Sequence, residues 1–225
     1  MFDLLQKKLT NTFLKPYLTW YLKKERTDTV RGFSLLIRPT VFHPKYFFSS
    51  TFLFDFVSTL NLSGKQFLEL GCGSGLISLL AYRKKALVTT TDINKAAVEC
   101  TAINFTKNLA NKTNYFSVLK SDLFKEIPLT QFDVIVINPP YFFEEISTDE
   151  QLAWNCGING EYFEQLFSGL VQYSHAETQS YMVLADNCEI EKIKNIAKSH
   201  LLELDLIVQK KIKWENNFIF KINAI

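Results

Sequence analysis

Residues 132–137 read Phe-Asp-Val-Ile-Val-Ile and run directly into Asn138-Pro139-Pro140-Tyr141. A run of apolar, β-branched residues without strict alternation is the pattern of a strand covered on both faces. Such a strand needs a layer of helices above and below it, which confines the chain to the α/β class. Two consecutive prolines then end the strand, because neither donates to a ladder and each restricts the residue before it. The product is a stiff turn at a strand's carboxyl end, presenting an amide, free carbonyls and an aromatic ring. Open α/β sheets bind their ligands at that edge.

The flanking sequence supplies the rest of such a sheet. From residue 65 onward the spacing predicts strands over 66–70, 87–92, 115–121, 132–137 and 180–185. Helices are expected over 76–84, 95–108, 162–173 and 189–199. This alternation implies a mainly parallel sheet with helices on both faces. The last two strands, over 202–211 and 216–223, are joined through Lys213-Trp214-Glu215 and read as an antiparallel hairpin. Ahead of the sheet, leucines and Phe13 at helical spacing predict one or two short helices in residues 1–25, broken near Pro16. Residues 29–37 read as extended structure around Arg31-Gly32, and Ser49-Ser50-Thr51 as the cap of a helix over 52–60.

A length of 225 residues suits one domain plus a short extension, so we expect an amino-terminal extension, 1–50, followed by one catalytic or binding domain, 51–225. Hydrophobic residues make up 47% of the chain, enough for a sizeable core. Residues 1–45 carry nine Lys/Arg against Asp3, Glu25 and Asp28, or +6, leaving about −4 for the remainder. That asymmetry suits an anionic partner for the arm, and solvated helix faces produce the same count. Cys72, Cys100, Cys156 and Cys188 are scattered, and with three histidines there is no zinc-type spacing and no metal site is expected. Scattered thiols, the absence of a signal-peptide pattern and the absence of a bilayer-length apolar run point to the cytoplasm, with no membrane association.

Leu68-Glu69-Leu70-Gly71-Cys72-Gly73-Ser74-Gly75 follows the first strand of the sheet and opens a helix. Glycines let the backbone turn tightly and let a ligand approach the main chain. The third glycine of a dinucleotide fingerprint is replaced by Leu76, which argues against NAD or FAD. Glu69 would repel phosphate and could help to hold an amine or sulfonium. Asp92, at the end of the second strand, can accept hydrogen bonds from both hydroxyls of a ribose; it could equally cap the next helix, with Asn94 as its rival. Asp122, after the third strand, can accept from the exocyclic amine of an adenine, with Ile93 and Leu123 closing on the ring faces.

Together these elements resemble the class I S-adenosylmethionine-dependent methyltransferases, and within them the branch that methylates planar nitrogen. The resemblance covers about residues 50–225 and implies a seven-stranded Rossmann-like sheet with an antiparallel last hairpin. It implies S-adenosyl-L-methionine as cofactor, held by Glu69, Gly71, Cys72, Gly73, Gly75, Asp92, Ile93, Asp122, Leu123 and Asn138. It also implies that Asn138, Pro139, Pro140 and Tyr141 hold the acceptor nitrogen, Tyr141 by stacking on the planar group. Residues 144–160, with Glu144, Glu145, Asp149, Glu150 and the glycines at 157 and 160, form a long insertion beside the site of the kind that gates or recognises substrate.

Val41-Phe42-His43-Pro44 with Thr51-Phe52-Leu53, and Ala153 to Glu161, are similar to segments of the HemK/PrmC glutamine methyltransferases. Those enzymes act on the glutamine of a Gly-Gly-Gln loop in release factors. Ser50 departs from that family, which usually has an acid before the Thr, and the amino-terminal extension is shorter than the family's helical domain. The partner expected is thus a macromolecule: a release-factor-like protein, or alternatively RNA or DNA methylated on an exocyclic amine of adenine or guanine. The basic arm favours nucleic acid modestly, although no nucleic-acid-binding module accompanies it. A non-catalytic nucleotide-binding scaffold would keep the glycine loop and lose the Asn-Pro-Pro-Tyr turn. The oligomeric state is open, and a monomer is compatible with the chain.

Overall fold

The computed structural model describes residues 23–109, 114–148, 151–213 and 215–225. The helices expected in residues 1–25 fall almost entirely outside these residues. A two-stranded antiparallel hairpin, β1 (Arg26–Val30) and β2 (Phe33–Ile37), precedes helix α1 (Phe48–Thr59). The main sheet then begins with β3 (Gln66–Leu70), α2 (Leu76–Arg83), β4 (Leu87–Asp92), α3 (Lys95–Asn108), β5 (Phe116–Lys120) and β6 (Phe132–Ile137). It is completed by α4 (Glu161–Leu170), β7 (Ser174–Ala185), α5 (Ile190–Ser199), β8 (Leu202–Ile212) and β9 (Glu215–Ala224).

The strand order is β5-β4-β3-β6-β7-β9-β8. Pairings from β5 to β7 are parallel, and β9 runs antiparallel to both β7 and β8. The expected architecture and its terminal hairpin are both present. β6 occupies the middle of the sheet beside β3, the first of its strands in sequence, and the chain reverses direction of winding between the two. Loops leaving those two strands diverge, opening a crevice at the carboxyl edge where ligands bind in sheets of this kind.

Both faces of β6 are covered. Val134 and Val136 join one apolar cluster with Phe67, Val88 and the residues of α1 to α3. Ile135 and Ile137 join the other with Leu68, Leu70, Phe163, Phe167 and Met182. All four β6 side chains are nearly or fully buried, and each contributes about 1.5–3 kcal/mol by removal from water. The continuous apolar run in the sequence is the direct imprint of this double packing.

The amino-terminal hairpin is fastened to the sheet domain through α3. Asn104 and Asn108 each donate to and accept from one β2 residue: Asn104 with Leu36 at 2.6 and 2.8 Å, Asn108 with Ser34 at 2.8 Å in both directions. An asparagine amide mimics a neighbouring strand here, satisfying backbone groups that an edge strand leaves open.

Three local expectations are corrected. Helix α1 starts at Phe48, and 49–51 lie in its first turn. Phe47 is the N-cap without a side-chain cap, while Thr51 Oγ1 donates back to the Phe48 carbonyl at 3.1 Å. Helix α4 ends at Leu170 and finishes as a 3₁₀ turn over Val171–Tyr173. β7 begins six residues earlier than the pattern suggested. A register irregularity opposite Phe132 to Val134 lets the polar stretch 174–179 pair before the buried part starts. Among the described residues, no helix is long and apolar enough to cross a membrane.

Candidate active site

The glycine loop is clamped from both sides. Gly71 and Cys72 both donate to the Thr91 carbonyl, at 2.9 and 2.8 Å, tying the loop to the end of β4. Thr101 Oγ1 donates to the Gly73 carbonyl at 3.2 Å, and Asn104 Nδ2 to that of Ser74 at 2.9 Å. Gly75 is the left-handed N-cap of α2, with φ +79°, and a Cβ there would lie 2.9 Å from the Thr101 side chain. Only glycine meets both conditions.

Asp92 and Asn94 divide the two roles that the sequence left open. Asn94 caps α3 by accepting from Ala96 N at 2.9 Å. Asp92 instead takes Gly73 N on Oδ2 and Asn94 N on Oδ1, both at 2.9 Å, and lines the crevice. Burial raises its pKa. Glu69 is 4% exposed; its Oε2 accepts from Ser78 N at 2.9 Å and from the Ser78 hydroxyl. It thereby caps the first turn of α2 from the preceding strand. Burial pushes its carboxyl up to about 8. No cation among the described residues offsets the burial of either acid.

These loops enclose a cavity of about 290 Å³. The expected residues Glu69, Gly71, Cys72, Gly73, Asp92 and Ile93 line it, as do Asp122, Leu123, Asn138, Pro139 and Pro140. Asp122 stands at the rim, where its carboxylate meets Lys125 Nζ at 2.5 Å, and Leu123 has a positive φ of 51°. Asn138 Nδ2 donates to Ser50 Oγ at 3.3 Å. Its Oδ1 has no partner among the described residues.

Gly75 and Tyr141 lie outside the cavity lining. Gly75 acts on the site only through the helix it caps. Tyr141 is partly buried and packs against the apolar cluster that includes Met182, Leu184 and Phe220, so its expected stacking on an acceptor group stays a proposal. Burial, with Cys188 and Glu215 nearby, raises the pKa of its phenol. Its ring meets only Phe142 edge-on at 4.9 Å among the described aromatic contacts. The insertion holds the backbone here: the Tyr141 and Phe142 amides both donate to the Trp154 carbonyl, at 3.0 and 2.9 Å.

The insertion supplies residues that sequence reasoning did not single out. Trp154 packs with Phe42 and Phe47 at centroid distances of 5.0 and 4.7 Å, and Phe42 reaches the cavity. Leu152, Asn155 and Tyr162 also line it. Ser50 was legible as a cap candidate and as a departure from a family pattern, and its bond to Asn138 depends on the placement of α1. Lone polar or aromatic residues in an irregular segment carry no periodicity that would have marked the others.

Comparisons with known proteins bear on the family and the fold. The family model described as "Methyltransferase small domain" matches residues 33–157. A Methanocaldococcus jannaschii protein, provisionally named a protein N5-glutamine methyltransferase, is 32% identical over 124 residues, 55% of this chain and 57% of that one. A tRNA adenine-N6 methyltransferase of Pedobacter heparinus is 26% identical over 149 residues, covering 63% of this chain and 60% of that one. A T. thermophilus 16S rRNA methyltransferase solved with AdoMet and guanosine superposes with TM-score 0.57 at 16% identity, over 88% of this chain and 50% of its own, and shows the shared fold. The chain spans 24% and 57% of the first two curated relatives it matches.

Proposed function

The chain belongs to the methyltransferase small-domain family of S-adenosylmethionine-dependent enzymes, and from that premise we propose that it methylates a planar nitrogen, the side-chain amide of a protein glutamine. The observation that carries this reading is the cavity itself. It joins two uncompensated buried acids, Glu69 and Asp92, to the Asn138-Pro139-Pro140 turn. Buried acids without a cation suit a ligand that brings positive charge, which favours their ionised form. Glu69, the loop Gly71 to Gly73, Asp92, Ile93, Asp122 and Leu123 would hold the cofactor. When bound, S-adenosylmethionine supplies a methyl group already activated by its sulfonium.

The remaining task is to place a weak nucleophile. An amide nitrogen has its lone pair delocalised, so alignment matters most, and orientation contributes ~7–11 kcal/mol in favourable cases. Asn138 Oδ1 and the Pro139 carbonyl each accept one N–H from the acceptor nitrogen. They stabilise the positive charge that grows on it, and the surplus proton leaves to solvent after transfer. The prolines keep these acceptors rigid, so little reorganisation is needed as charge develops.

Charge near the site favours protein over nucleic acid. Glu144, Glu145 and Glu161 are exposed around the insertion. Several cations of the basic arm are already engaged: Arg31 with Asp55, Arg38 with Glu25 and Glu99, and Lys45 with Asp28. An acidic rim suits a basic peptide loop and opposes a phosphate backbone. The test is transfer of labelled methyl from S-adenosylmethionine into lysate of a strain lacking the gene. Label lost to protease and kept through nuclease supports the glutamine reading. Label lost to nuclease and kept through protease overturns it in favour of a nucleobase amine.

A further inference from the structure

Tyr162, the second residue of α4, lines the cavity together with Asp92 and Asp122, and the proposed chemistry gives it no part. No described residue hydrogen-bonds its phenol hydroxyl. The ring is rigidly placed. Gly160 caps α4 with φ +83°, and the spaces beside its Cα are filled by Phe143 and Ile196, at 2.7 and 2.8 Å from where a Cβ would stand. The next residue, Phe163, is fully buried and meets the Tyr162 ring edge-on at 5.4 Å. The start of α4 is therefore fixed, and Tyr162 with it.

A donor held in such a place needs an acceptor when the cavity fills, because a hydroxyl buried without one costs about 1–3 kcal/mol. Asp92 and Asp122, when ionised, are acceptors only. They suit the ribose hydroxyls and the exocyclic amine of an adenosine, which are donors. What remains unmatched on that nucleoside is its ring nitrogens, which are acceptors. We infer that Tyr162 donates a hydrogen bond to a ring nitrogen of the cofactor's adenine, making α4 the third wall of the nucleoside site. This rests on the reading of Asp92 and Asp122 as nucleoside contacts. Burial and the two neighbouring carboxylates raise the phenol's pKa, so it stays protonated and remains a donor.

The experiment is calorimetry of S-adenosylhomocysteine and its 1-, 3- and 7-deaza analogues against wild type and Tyr162→Phe, with thermal melts of both proteins. Tyr162→Phe should bind the parent compound about fivefold to tenfold more weakly, the scale of one neutral hydrogen bond. Against one deaza analogue that difference should vanish, while it persists against the other two. Parent binding equal in both proteins, or the same loss with every analogue, would overturn the assignment. Should Tyr162→Phe not fold, the wild-type series decides alone, and equal affinity for all four compounds overturns it. Failure of wild type to bind any of them would instead defeat the cofactor reading on which the inference rests.

Discussion

Asn138, at the end of the central strand, donates its amide to Ser50 on the first helix across 3.3 Å, 88 residues away in sequence. With the amide nitrogen facing Ser50, Oδ1 has no partner among the described residues and is available to a ligand in the cavity. A hydroxyl at position 50 thus does its work through Asn138, as a positioning residue. Ser50→Ala should lower kcat about tenfold, equivalent to ~1.4 kcal/mol of lost alignment, with S-adenosylhomocysteine affinity within twofold of wild type. An unchanged kcat would show that Ser50 does not orient the amide.

Asp92 holds Gly73 N and is the acid we propose for the cofactor's ribose. Asp92→Ala should weaken S-adenosylhomocysteine binding by at least tenfold in calorimetry, by removing both the ligand contact and the loop's anchor. Equal affinity in the two proteins would remove Asp92 from the cofactor site.

Glu69 gives the ligand-free protein a distinctive pH dependence. Its carboxyl keeps a proton up to about pH 8 when folded, against an ordinary value of 4.5. Between those values the folded state binds more protons than the unfolded chain. Its contribution is therefore fully present below about 4.5 and is lost as pH rises through about 8. Urea midpoints should fall across that window, and Glu69→Gln, which keeps an acceptor for Ser78, should flatten the slope. A slope that Glu69→Gln leaves intact would assign the effect to another group.

Gly75→Ala forces a Cβ to within 2.9 Å of the Thr101 side chain at a φ of +79°. The strain should cost roughly 1–3 kcal/mol and lower Tm by several degrees. Replacing Thr101 by Ser in the same protein should recover part of the loss, since the methyl contact goes and the backbone strain stays. An unshifted Tm would mean that the loop relaxes freely.

The sheet was legible because each of its strands carries a local signature. The doubly covered strand over Phe132 to Ile137, the glycines after Leu70 and the acids at 92 and 122 all sit next to the elements that place them. The helix α1 start was misread because the cap-like trio Ser49, Ser50 and Thr51 is polar for another reason: Ser50 faces Asn138. The backbone at Tyr141 is tied to Trp154, thirteen residues on, by a bond that no local pattern announces. Ser50 and Tyr162 join the cavity only through tertiary placement, which neighbouring residues do not encode.

Methyl transfer by this chain rests above all on the Asn138 turn as the acceptor half of the site. Asn138→Ala should reduce methyl transfer into lysate of a strain lacking the gene by at least a hundredfold, while calorimetry finds S-adenosylhomocysteine affinity within about twofold of wild type. Turnover retained by Asn138→Ala would contradict it.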